Sequence, residues 1–155
     1  MTDYRSIALV VESWEDARLK PDFEEQVSSK ILQNLFDLAP RTRQAFGVRR
    51  NLEPTLDNLK RTPALQHIAR MLKFLNLILT LQGPPEILYQ VLEDCGRRHA
   101  KYSCHAQTIS IMGKAILLSL KDWLGAESWG DQTQEAWEKI FNVIENRMVK
   151  GLTTK

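Results

Sequence analysis

The sequence predicts an all-α domain. Apolar residues recur at helical spacing along nearly the whole chain, and sustained apolar/polar alternation is missing, as are Asn-Gly and Asp-Gly hairpin signals. Prolines and glycines stand at the corners between the periodic stretches. Seven or eight helices are expected, in a single domain over residues 1–155. A chain of that length can bury a substantial core, and 43% hydrophobic with 26% charged residues is an ordinary globular balance.

The first helix is expected over about 3–18, with Ile7, Val10, Val11 and Trp14 inward. Lys20-Pro21-Asp22 breaks it and opens a second over about 21–37, which turns Phe23, Val27, Ile31, Leu32, Leu35 and Phe36 to the core. Pro40 stops that helix and begins a short turn ending at Phe46. Residues 47–61 are polar, with Leu52, Leu56 and Leu59 at helical spacing, and read as a loop with a short helix. Thr62 as N-cap and Pro63 at the first helical position open the next helix. Leu65, Ile68, Leu72, Leu75 and Leu79 form its main stripe, and Met71, Phe74 and Ile78 a second row with His67 one turn before Met71.

Gly83-Pro84-Pro85 ends that helix. Its partner starts at about Pro85, with Leu88, Val91, Leu92 and Cys95 inward and His99 one turn further. A corner at Tyr102–His105 leads to a helix over about 106–124, with Ile109, Met112, Ile116, Leu120 and Trp123 inward, closed by Gly125. Asp131 with Gln134 resembles a capping box for the last helix, about 131–149, which buries Trp137, Ile140, Phe141, Ile144 and Met148. Gly96 and Gly113 each cost about 1 kcal/mol against Ala inside a helix. Close approach of another helix or of a bound group accounts for them; simple tolerance is the plainer reading.

Composition narrows the function. A net charge of +2 does not imply nucleic acid, and the basic residues from Arg41 to Arg70 lack interleaved aromatics, so they read as a solvated face. No apolar run nears the ~20 residues of a membrane span, and the N-terminal stretch lacks the form of a targeting signal. Cys95 and Cys104 do not make a disulfide framework, so a reduced, cytoplasmic protein is expected. Cys95, His99, Cys104 and His105 lack zinc-site spacing, and His105 reads as a surface corner. His67 and His99 each stand 16 residues from Gly83, roughly 24 Å of helix. If their helices face each other, both rings look into one apolar cavity and want a shared partner. Taken singly, His67 reads as a core-edge histidine, and His99 as the end of the basic run Arg97-Arg98.

Four anchors in register, however, resemble the globin family across nearly the whole chain. These are Pro40 at the start of a short third helix, Phe46 six residues on, His67 twenty-one further, and His99 followed by an aromatic at Tyr102. The segment Gly96–Tyr102 is similar to that of single-domain microbial globins and the globin half of flavohaemoglobins. Trp14 and the run 136–141 add to the match. The resemblance implies a globin fold packed around a haem pocket, with haem b (iron protoporphyrin IX) as cofactor. It implies His99 as proximal iron ligand and His67 as distal residue, either ligating iron or donating a hydrogen bond to bound gas. Phe46 would stack on the haem, Leu32 and Met71 would keep the distal side dry, and Arg70, with Arg97 and Lys101, would meet the propionates. Tyr102 and Met112 complete the expected haem contacts.

Reversible binding of O₂, CO or NO, for oxygen storage, transport or sensing, is the function this resemblance implies. A hydrogen bond from His67 would favour polarised O₂ over CO by roughly 1.5–3 kcal/mol. The alternative is NO dioxygenase-like chemistry with an external reductase. Leu32, His67 and Ile109 stand where flavohaemoglobins carry tyrosine, glutamine and tyrosine, and no reductase domain follows residue 155, so a dedicated enzyme is not expected. A haem-free structural or sensor module is the third reading; the presence of both histidines opposes it.

Overall fold

A computed structural model of the protein describes residues 3–102 and 104–154. Eight α-helices form among them: α1 Tyr4–Arg18, α2 Phe23–Leu38, α3 Thr42–Ala45, α4 Leu56–Leu59, α5 Pro63–Thr80, α6 Pro85–His99, α7 Ala106–Leu124 and α8 Asp131–Thr153. A 3₁₀ turn, Ala100–Tyr102, follows α6, and no strand occurs among the described residues. Ser103, in the expected corner after it, lies outside them.

Local chemistry sets most boundaries. The Asp3 carboxylate caps α1 by accepting the Ser6 amide at 2.7 Å. Thr55 caps α4 through Asn58 at 3.2 Å. Pro63 and Pro85 start α5 and α6 where a missing amide proton costs nothing. Gly125, at φ 87°, ends α7 in a conformation that a side chain would resist.

The opening of α8 differs from expectation. Its N-cap is Gly130, without a side-chain cap, and Asp131 is already the first helical residue. Gln134 does not complete a capping box, because its side-chain carbonyl accepts the Trp129 indole N–H at 2.6 Å. The inner face of α1 also differs. Ile7 and Val11 are 41% and 38% exposed, while Ser6, Ser13 and Ala17 are buried beside Val10 and Trp14. Ser13 satisfies its hydroxyl on the Leu9 and Val10 carbonyls at 2.7 and 3.0 Å, and accepts the Trp137 indole N–H at 2.8 Å.

The core runs between α1, α2, α5, α7 and α8, around Trp14, Leu32, Leu35, Ile68, Leu120 and Trp137. Helices α6 and α8 cross with their backbones in contact. A Cβ at Gly96 would overlap the Met148 carbonyl, and one at Gly151 would overlap that of Glu93. Gly96 is therefore a helix-crossing glycine. Gly113 is not: a Cβ there meets Phe141 at 3.4 Å, ordinary contact.

Candidate functional site

Helices α5, α6, α7 and α8, with Phe46 after α3, line a partly open cavity of about 370 Å³. That is the size of a small-molecule site. Its walls are mainly aliphatic and aromatic, among them Phe74, Leu92, Ile116 and Phe141. His67 reaches it from α5 and His99 from the last turn of α6.

The two ring centroids lie 6.4 Å apart, with the planes inclined by 65° in an edge-on arrangement. Phe46 braces His67 with its ring 5.6 Å away. The His99 Nδ1 lies 2.7 Å from the Cys95 carbonyl oxygen. A carbonyl only accepts, so Nδ1 carries the proton and Nε2 keeps a free lone pair. The Cys95 thiol stands alongside, 3.9 Å from Nδ1. Burial lowers the pKa of His67, and the nearby charges of Arg70 and His99 lower it further. That of His99 is raised, chiefly by hydrogen bonding to the Cys95 side chain and then to its carbonyl, against the opposing effect of burial.

The donor set fits the haem that the sequence resemblance implies. Among the described residues no three His, Cys, Asp or Glu side chains converge on a metal-sized site. Two imidazoles do not make a closed tetrahedral centre. They suit a metal whose other positions are filled by a planar chelating ring. The spacing agrees: two metal–nitrogen bonds of about 2 Å, plus roughly 1 Å from each nitrogen to its ring centre, span about 6 Å. The apolar walls fit a macrocycle. Arg70 and Arg98, which also line the cavity, fit carboxylates at its edge.

Of the eight residues expected to contact a cofactor, Phe46, His67, Arg70, Met71, His99 and Met112 line this cavity. Leu32 does not: it is fully buried in the core instead, because α2 packs on α5 and α7 with that face. Tyr102 does not either, being 79% exposed at the end of the 3₁₀ turn, where the chain has left the α6 face. Arg97 pairs with Asp94 on its own helix, and Arg98, not Arg97 or Lys101, lines the cavity. Sequence reasoning missed a wall. Phe141, Ile144, Glu145 and Met148 of α8 also face the cavity. Gly96 was the available signal, since a glycine three residues before His99 marks where another helix crosses.

A globin family model matches residues 29–148, well over half of the chain, and the protein belongs to the globin family. Membership carries haem binding with it. Among its relatives, Neuroglobin-2 of Oncorhynchus mykiss and the neuroglobins of Tetraodon nigroviridis and Chaenocephalus aceratus are each 22% identical to it over 121 residues. Each match covers 78% of this chain and 76% of the relative. No helix among the described residues is long and apolar enough to cross a membrane.

Proposed function

We propose that this globin holds haem b with His99 as proximal ligand and His67 as the second axial ligand when no gas is present. The bound group would take O₂, CO or NO reversibly at the position that His67 would otherwise fill. The observation that carries this reading is the 6.4 Å between the two rings. A diatomic molecule interposed between iron and His67 needs a wider gap.

Haem, when bound, supplies the ferrous centre that takes the gas. The chain supplies the rest. The Cys95 carbonyl fixes the His99 tautomer, Phe46 braces His67, and the apolar walls exclude water. Arg70 and Arg98 complement the propionates. Burial, with the nearby charges of Arg70 and His99, lowers the pKa of His67 and so favours the neutral ring that a metal takes as a ligand. Internal ligation divides the apparent gas affinity by the same factor that closes the site, so small displacements of α5 tune it. A reduced, cytoplasmic setting accords with the two free thiols, Cys95 and Cys104.

Hemin titration followed by absorption spectroscopy tests this. Gas-free ferrous protein should be six-coordinate and low-spin, and His67→Leu should turn it five-coordinate. A five-coordinate wild-type spectrum would exclude His67 as a ligand. His99→Ala should lose haem, and unchanged retention would place the proximal ligand elsewhere.

A further inference from the structure

We propose that a column of three stacked rings, Phe141, Trp137 and Trp129, conducts oxidising equivalents out of the cavity, so that hydrogen peroxide is dissipated through Trp129. The inference rests on the haem reading above, because bound haem provides the centre at which peroxide is split.

The column starts at the cavity wall, which Phe141 lines. Phe141 and Trp137 stack at 6.0 Å and 28°, and Trp137 and Trp129 at 6.0 Å and 19°. Both separations fall within aromatic contact range, and the near-parallel planes make these offset-stacked contacts. A second branch leaves Trp137 through Trp14 and Phe23 to Trp123. Its rings meet at 59°, 89° and 59°, tilted or edge-on rather than stacked.

Electrostatics points the same way. The Lys20 ammonium lies 4.9 Å from the Trp123 ring centre and opposes positive charge there. Trp129 donates to Gln134 at 2.6 Å, and Gln134 donates to the Glu138 carboxylate at 2.9 Å. A negative charge thus ends the hydrogen-bond chain from Trp129 and favours an electron hole on that indole. Trp137 is fully buried, and its N–H donates only to Ser13, which has no capacity to take a proton. A hole on Trp137 therefore stays cationic and passes on.

The balance closes with a named donor. Hydrogen peroxide accepts two electrons and two protons from solvent, its O–O bond breaks, and two waters form. The electrons come from Trp137 across Phe141, whose ring is not itself oxidised, and Trp129 refills Trp137. Two molecules of a one-electron donor such as ascorbate refill Trp129, which lies at 4% exposure just beneath the surface.

Haem-loaded protein treated with hydrogen peroxide, without a reductant, should show a tryptophan radical by electron paramagnetic resonance. After digestion, mass spectrometry should find oxygen adducts on Trp129 ahead of Trp123 and the tyrosines. Trp129→Phe should remove that adduct and increase the Soret absorbance lost per peroxide, with haem content before peroxide unchanged. Phe141→Leu should lower the Trp129 adduct without touching either indole. Adducts spread over Trp123 and the tyrosines, with equal haem loss in Trp129→Phe, would overturn the column. Failure to take up hemin would overturn this proposal and the haem reading together, and is seen before peroxide is added.

Discussion

Cys95 and His99 stand one helical turn apart, and that spacing puts a main-chain carbonyl where an imidazole N–H reaches it at 2.7 Å. The two cavity histidines shift in opposite directions from their ordinary 6.5, with opposite consequences for stability. His67, lowered, binds fewer protons folded than unfolded, so its contribution falls as pH drops through about 6.5. His99, raised, contributes stability that is fully present below that value and is lost as pH rises through its folded pKa. Haem-free His67→Leu should therefore resist acid better than wild type between about pH 7 and 5, and His99→Ala worse. Urea midpoints measured across that range check both signs; parallel profiles for all three proteins would contradict them. At this scale the cavity lining was legible where one residue's register fixed another, as with Phe46, His67 and His99. It was not legible for Leu32 or Tyr102. Whether a buried leucine faces a cavity or the core depends on which neighbours its helix packs against, and the orientation of Tyr102 depends on a tight 3₁₀ turn that no residue spacing signals.

Helices α6 and α8 show what a glycine does when backbones meet. Gly96→Ala and Gly151→Ala must each push the crossing apart, and each should cost about 1–3 kcal/mol in denaturant unfolding. Gly113→Ala has room for its methyl against Phe141 and should stabilise the haem-free protein by up to about 1 kcal/mol. A stabilised Gly96→Ala would refute the close crossing. Helix α8 also runs past its expected end at residue 149, to Thr153, and Gly151 lies inside it, where the Glu93 backbone leaves no space for a side chain. The α1 face was misread for a related reason. Apolar periodicity selects large residues such as Ile7 and Val11, whereas the buried face includes small ones: Ser13 accepts the Trp137 indole N–H of α8 at 2.8 Å, and the Ala17 carbonyl accepts that of Trp123 of α7 at 2.9 Å. The existence and order of the long helices were legible, because the punctuation by proline and glycine is local chemistry; which face turned inward was a property of the neighbours.

Across the whole molecule, indole hydrogen bonds join helices distant in sequence. Trp14 of α1 donates to Asn76 of α5 at 2.8 Å, and Trp137 of α8 donates to Ser13 of α1 at 2.8 Å. Ser13→Ala leaves a buried indole N–H without an acceptor and should cost about 1–3 kcal/mol, read as a lower urea midpoint with an unchanged slope. No loss would mean that another acceptor moves in. The backbone crossing of α6 on α8 carries a further consequence. Side chains repack easily and main chains do not, so the wall that presents His99 behaves as the fixed jaw of a vice, while α5 rests mainly on the side chains of α2. Clearance for an incoming gas has to be found by sliding the other jaw. The difference in hydrogen exchange between gas-free and CO-bound protein should accordingly concentrate in residues 63–80 and leave 85–99 almost still.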